Sequence, residues 1–141
     1  MKKKIEEKVL LYNFKDAGQA EAIRALLADM HIQVIMLDKA QDHQKIGYLF
    51  GLKGFAENKA VPEDEFDFPY ELMMFYDVSR TRLSKLLQAM RDKGIEVPNC
   101  KSMVTSFNRF WTIRRVCQAM RKEHLAMQEA KQAQSAEADD K

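Results

Sequence analysis

The chain is poor in the residues that interrupt or cross-link a fold. Only three prolines and five glycines occur among 141 residues, so long elements joined by few connections are expected. Cys100 and Cys117 form no paired motif, and the usual ligand spacing of a structural zinc site is missing. No apolar run approaches the roughly 20 residues of a membrane span, and the basic N-terminus lacks the long apolar stretch of a secretory signal. These absences predict a cytoplasmic protein with no metal site and no membrane contact.

Catalytic and cofactor-binding motifs are also missing. Neither a phosphate-binding loop, a GxGxxG turn, a GxSxG elbow nor an HExxH helix occurs. His31, His43 and His124 are far apart in the sequence, and neither Cys100 nor Cys117 has an evident neighbouring base. The sequence therefore predicts no cofactor and no catalytic residue, and it leaves open whether the protein is an enzyme.

The composition is that of one folded domain. Hydrophobic residues make up 46% of the chain and charged residues 31%, which is enough apolar surface for one core. Residues 54–69 contain two prolines and a run of acids, and we expect an exposed acidic insert there. We predict a single domain over 1–128, followed by a disordered polar tail over 129–141. A net charge of +2 excludes a strongly polycationic protein, although a local basic face remains compatible with it.

Apolar periodicity predicts four strands and three main helices. The strands are expected over 8–14, 32–37, 71–77 and 101–105, and the helices over 17–30, 79–93 and 108–127. The residues expected in the core lie on the apolar stripes of these helices: Ile23, Leu27, Leu86, Met90, Ile113 and Cys117. Phe110 and Met127 are assigned to the same stripe as Ile113.

The two halves of the chain resemble each other at an offset of 63 residues. At that offset Val9 aligns with Leu72 and Ile23 with Leu86, so one shift matches a strand and the following helix. The repeat predicts an α+β protein with a ferredoxin-like split βαβ repeat and an extra C-terminal helix. The alternative is a three-layer α/β fold with a parallel sheet, because strands that alternate with helices also produce that architecture.

The segment from Lys101 to Lys122 contains basic residues and no acidic one. On a helix, Arg114 and Arg121 share one face, and Arg115 and Lys122 share the face beside it, because seven residues make two turns. Such a face suits an anionic partner, although a solvated helix face or neutralisation by the acidic insert would account for the same pattern.

The start of the last helix combines polar, basic and aromatic residues. Thr105 and Asn108 can cap a helix there, and its unpaired N–H groups would attract an anion, with Arg109 adding charge. Trp111, the only tryptophan, would form a wall of such a site. The candidate binding residues are Thr105, Asn108, Arg109, Trp111, Arg114, Arg115, Arg121 and Lys122.

The stretch GIEVPNCKSMVTSFNRFW, residues 94–111, resembles a bacterial family of small domains of unknown function. In that family a strand that ends in threonine leads to asparagine and tryptophan at the start of the last helix, as Thr105, Asn108 and Trp111 do here. The resemblance spans residues 8 to about 125, and it implies no activity.

Two functions fit these patterns. The first is a non-enzymatic binding or regulatory module that uses the basic C-terminal helix. The alternative is a small-anion-binding enzyme or sensor centred on the start of that helix. The expected partner is an acidic protein, RNA or a small anion.

Overall fold

The structure is a computed structural model that describes residues 5–64 and 66–139, with the backbone alone for residues 128 and 131–139. Its elements follow in the order β1 (Lys8–Tyr12), α1 (Ala17–Asp29), β2 (Gln33–Leu37), α2 (Ile46–Leu49), β3 (Leu72–Tyr76), α3 (Arg80–Asp92), β4 (Cys100–Met103) and α4 (Ile113–Asp139). Short 3-10 turns cover Lys39–Gln41 and Asn108–Phe110.

The four strands form one mixed sheet in the order β2-β1-β3-β4. The central strands β1 and β3 are antiparallel, with Leu10 opposite Met74, and each is parallel to the second strand of its own half. The α+β prediction is confirmed, and β1 and β3 are adjacent as the repeat required.

The strand order differs from the split arrangement in one respect. A split βαβ unit has a strand of the other half between its two strands. Here β1 pairs directly with β2, and β3 pairs directly with β4. Each connecting helix thus returns the chain to the neighbouring position, as in an ordinary parallel βαβ unit.

Helices cover both faces of the sheet, as the three-layer alternative proposed, although the sheet is mixed rather than parallel. On one face Val9 and Leu11 of β1 pack in a core with α1 and α3. On the other face Leu10 and Tyr12 pack with α2 and α4. The predicted core residues of α1, α3 and α4 are all fully buried, namely Ile23, Leu27, Leu86, Met90, Ile113 and Cys117.

Matching caps flank α1 and α3. Asp16 and Ser79 accept hydrogen bonds from the first backbone N–H groups of these two helices. After each helix comes a residue with a positive φ, His31 at 60° and Gly94 at 70°, in the left-handed conformation that ends helices. These four positions repeat at the offset of 63 residues that the sequence predicts.

At each end of the central strand pair, a residue with positive φ follows one strand, and its side chain binds the backbone next to the other strand. Asn13 (φ 65°) follows β1, and its amide donates to the carbonyls of Phe68 and Tyr70, just before β3. Asp77 (φ 57°) follows β3, and its carboxylate accepts from the Glu6 N–H, at 2.8 Å, just before β1. These turns end the strands earlier than the predicted 14 and 77, because an extended strand has negative φ.

The last helix departs from the prediction at both ends. It begins at Ile113 rather than at 108, and it continues to Asp139, past the predicted end at 127. The Ala-, Glu- and Gln-rich sequence after 127 has strong helix propensity, which favours this extension. The single domain over 1–128 and the disordered polar tail over 129–141 stay predictions. Residues 140–141 lie outside the described residues. Phe110 and Met127 were assigned to the buried stripe, but they are 60% and 62% exposed.

Candidate functional site

Thr105 and Asn108 form a closed hydrogen-bonded turn between β4 and α4. The Thr105 hydroxyl accepts from the backbone N–H groups of Phe107 and Asn108, at 3.2 and 3.0 Å. The Asn108 amide accepts from the Thr105 N–H and donates to the Met103 carbonyl, both at 2.8 Å. The side chains of Thr105 and Asn108 therefore bind this segment's own backbone, and they set its shape.

The first N–H groups of α4 are also bound within the protein. The Ile113 N–H donates to the Gln44 carbonyl at 3.3 Å, and the Arg114 N–H donates to the Asp42 carbonyl at 3.1 Å. The next N–H, of Arg115, donates to the Thr112 hydroxyl at 3.2 Å. Thr112 rather than Asn108 thus caps α4, and the donors that the small-anion hypothesis requires are already occupied.

Arg114 belongs to an internal charge network. Its Nε donates to Oδ1 of Asp42 at 2.8 Å, and its Nη1 lies 3.5 Å from Oδ1 of Asp64. The side chains of Arg114 and Asp42 are 18% and 5% exposed. Tyr12 donates its hydroxyl to the other oxygen of Asp42 at 3.4 Å. Asp64 belongs to the acidic insert, so the insert adds a second, exposed carboxylate to the pairing of Arg114 with Asp42.

The electrostatics of this network follow from burial and from the carboxylate. Burial raises the pKa of the Tyr12 hydroxyl, and the negative charge of Asp42 raises it further. The hydrogen bond to Asp42 raises the pKa of Arg114, which keeps it charged. Asp42 follows the 3-10 turn Lys39–Gln41 that comes after β2. Its pairing with Arg114 joins residues 72 positions apart, which local sequence patterns do not reveal.

The other predicted cations point away from this network. The Arg115 guanidinium lies over the Trp111 ring, 4.3 Å from its centroid, and Arg121 and Lys122 are exposed. Arg109 donates its Nε to the Thr105 carbonyl at 3.1 Å. Among the described side chains, none of these four cations forms an ion pair with a carboxylate. We call Arg109, Arg115, Arg121 and Lys122 the basic surface.

Two exposed phenylalanines stand beside the basic surface. Phe107 is 79% exposed and Phe110 is 60% exposed. In a 3-10 turn, side chains three residues apart lie on the same side, so Phe107 and Phe110 face one way. The Phe110 ring packs on Phe55, with centroids 5.3 Å apart. Phe55 lies so close to Gly47 that a Cβ there would approach its ring to 2.4 Å.

We call Phe55, Phe107 and Phe110 the aromatic platform. An open cleft of about 570 Å³ adjoins it, and Lys45 lies in the cleft wall with Phe55 and Phe110. Local sequence patterns do not identify the platform, because Phe110 fits the apolar stripe of a helix with a predicted start at 108. The spacing of Phe107 and Phe110 within a segment free of acids was the available signal.

Another cleft lies at the carboxyl ends of β3 and β4, with a volume of about 620 Å³ and both Arg82 and Arg109 in its wall. The Arg82 guanidinium donates to both carboxylate oxygens of Glu7, each at 3.0 Å, and to the Met30 carbonyl. Arg82 therefore fastens the segment before β1 to α3, and its charge is neutralised within the protein.

The two thiols are buried in the core below α4. Cys100 is 2% exposed and Cys117 is fully buried, and burial raises the pKa of both thiols. A raised pKa keeps a thiol protonated, which is the unreactive form. Among the described residues, no cluster of three or more metal-ligating side chains occurs, and no helix is long and apolar enough to cross a membrane.

Comparison with known proteins gives a match over the second half of the chain. Residues 71–127 match the family model described as "Domain of unknown function (DUF3783)". The match runs from the residue before β3 into α4, and it contains all eight predicted site residues. The resemblance to a family of small domains of unknown function is confirmed over this range. The comparisons with curated proteins and with solved structures gave no match.

Proposed function

We propose that the protein is a non-enzymatic binding module that holds an anionic partner on the basic surface. The observation that carries this proposal is the contrast among the arginines. Arg82 and Arg114 are neutralised by carboxylates, whereas the four cations of the basic surface have no carboxylate partner in the described part of the chain. Exposed cations without counter-charges raise the local positive potential and attract anions.

The arrangement of these cations along α4 supports an extended partner. Arg115 and Lys122 are two turns apart on the outward side of the helix, a rise of about 10 Å. Arg121 lies beside this line, and Arg109 adds a further cation in the turn before the helix. A partner with charges repeated along its length would contact several of these cations together. The small-anion alternative at the helix start receives less support, since the N–H groups of Ile113, Arg114 and Arg115 are occupied.

The proposal is tested by retention on a heparin matrix, a general polyanion, over a salt gradient. The test variant carries Arg115→Gln, Arg121→Gln and Lys122→Gln. The control variant carries Lys85→Gln, Arg91→Gln and Lys93→Gln, which remove the same charge from the exposed side of α3 and its C-cap. We expect the test variant to elute at lower salt than the control, because polyanion binding scales with the number of cations that contact phosphate or sulfate groups.

Thermal unfolding of both variants serves as a check on folding. The test variant is expected to lose about 1 kcal/mol at most, because Arg115→Gln removes the contact with the Trp111 ring, and the control variant is expected to lose less. Equal elution of the two variants would overturn the proposal, because retention would then reflect net charge rather than this surface.

A further inference from the structure

We propose that the partner is a single-stranded nucleic acid, whose bases stack on the aromatic platform while its phosphates contact the basic surface. This inference rests on the proposed function, which it extends by naming the partner. The first observation that supports it is the solvent exposure of two phenylalanines. Phe107 and Phe110 are the only aromatic side chains among the strongly exposed large hydrophobic residues of the described part of the chain. Both belong to one turn, and more than half of each side chain is exposed to solvent.

Ring and cation alternate in this segment. Arg109 lies between Phe107 and Phe110 in the sequence, and Trp111 carries Arg115 over its ring at 4.3 Å. A single strand presents an alternation of the same kind, of flat bases and charged phosphates. Proteins that bind single strands without sequence preference combine aromatic stacking surfaces with a basic path along the backbone.

The platform is held in place before any partner binds. The hydrogen bonds among Thr105, Asn108 and the Met103 carbonyl fix the turn that presents both rings. Phe110 is supported from behind by Phe55, which rests against the backbone of Gly47. Side chains that are already ordered lose little entropy on binding, so the closed turn contributes to affinity even though its polar groups contact no ligand.

The exposed rings favour a single strand over the other polyanions. In a duplex the bases are stacked on one another and offer no free face to Phe107 or Phe110. An acidic polypeptide would satisfy the basic surface, but it would leave both rings in water. A single strand covers the rings and the cations together.

The test measures fluorescence anisotropy of a labelled oligouridylate of about ten nucleotides. A thymidylate strand of the same length is the second single-strand arm, and binding of either one supports the proposal. A DNA duplex and polyglutamate are the competing polyanions. We expect single strands to bind more tightly than both competitors, and we expect their binding to change the fluorescence of Trp111, the only tryptophan.

The decisive variant is Phe107→Leu with Phe110→Leu, which keeps apolar surface but removes the rings. We expect its affinity for the single strand to fall about five-fold or more, because base stacking on an aromatic ring is worth at least about that factor per base. Its retention on heparin is expected to remain unchanged. Met36→Ala with Val61→Ala, two exposed apolar residues elsewhere, is the control and is expected to keep full affinity.

A second readout is the salt dependence. Arg115→Gln should reduce the slope of log affinity against log salt by about 0.7, the value for one phosphate contact on a single strand. Equal binding of duplex and single strand, tighter binding of polyglutamate, or full affinity of the leucine variant would overturn the nucleic-acid proposal. In each of those cases a heparin result that follows the basic surface would leave the proposed function standing. Loss of the heparin contrast would overturn both.

Discussion

Arg114 and Arg115 are neighbours in the sequence, but they lie in opposite surroundings on α4. Arg114 turns toward the sheet, where Asp42 and Asp64 neutralise it. Arg115 turns outward onto Trp111, with no carboxylate partner among the described residues. The same side chain thus stabilises the fold at one position and is available to a partner at the next. Which of the two roles an arginine has depends on the helix face and not on the local composition.

The largest loss of stability is expected from Arg114→Gln. Arg114 lies on the inward face of α4, by which we mean the side that carries Arg114 and Cys117 toward the core. This change leaves the buried carboxylate of Asp42 without its cation, and breaking a buried ion pair typically costs about 3–5 kcal/mol. We expect a loss near 3 kcal/mol, since Arg114 retains some exposure, measured as the free energy of unfolding in urea. Asp64→Asn is the control; its carboxylate is exposed, so a change below about 0.5 kcal/mol is expected. Similar small losses for both variants would show that the network contributes little.

Alkaline pH provides a second test of the inward face. The pKa values of Cys100 and Cys117 are raised by burial, so both thiols stay protonated in the folded state while the unfolded chain releases their protons above about pH 8.5. The contribution of the two thiols to the free energy of unfolding is therefore complete below that pH. It is lost as the pH rises, by up to about 1.4 kcal/mol per pH unit for each thiol.

The check is urea unfolding of the wild type and of Cys117→Ala between pH 8 and about pH 10. The alanine variant starts from lower stability, because it leaves a small cavity, but its stability should decline less steeply with pH. Parallel slopes for the two proteins would contradict the assignment of this titration to Cys117.

A smaller effect is expected where the two faces meet, at the start of α4. Thr112→Ala removes the hydroxyl that accepts from the Arg115 N–H, and loss of such a cap costs about 1 kcal/mol. The matched change Ser106→Ala lies in the preceding turn, where the structure records no side-chain hydrogen bond from Ser106. Thermal unfolding should separate the two variants, and a larger loss for Ser106→Ala would move the start of the helix back toward 108.

The smallest effect on stability is expected from Arg115→Gln. It removes the contact with the Trp111 ring, and an exposed cation–π contact is worth about 0.5–1 kcal/mol. The contrast between Arg114 and Arg115 predicts that this variant has nearly the free energy of unfolding of the wild type, while its affinity for polyanions falls. A stability loss as large as that of Arg114→Gln would abolish the distinction between the two faces.

The sequence predicts most of the fold because its main signals are local. The spacing of Ile23 and Leu27 identifies α1, and the predicted starts of α1 and α3 at 17 and 79 agree with the observed starts within one residue. The strand order is not local, since the same repeat is compatible with split or adjacent pairing. The early start predicted for α4 has a specific cause, because Asn108 satisfies the pattern of a cap while bonding to the turn before it.

The candidate site is predicted less completely. The cations Arg115, Arg121 and Lys122 are where the helical spacing places them, on exposed positions. The spacing also pairs Arg114 with Arg121, and only the folded structure brings Asp42 to Arg114. The binding role of all these residues stays a prediction.

The side-chain hydrogen bonds of Asn13 and Asp77 indicate which part of the chain folds as one cooperative unit. The family match begins at residue 71, but Asn13 and Glu6, which close the two ends of the central strand pair, precede it. A fragment limited to 71–127 would also expose the edge of β3 that pairs with β1. In amide hydrogen exchange the amides of β1 and β3 should therefore open together, in a single cooperative event. The segment that matches the family model is shorter than the segment that these hydrogen bonds hold together.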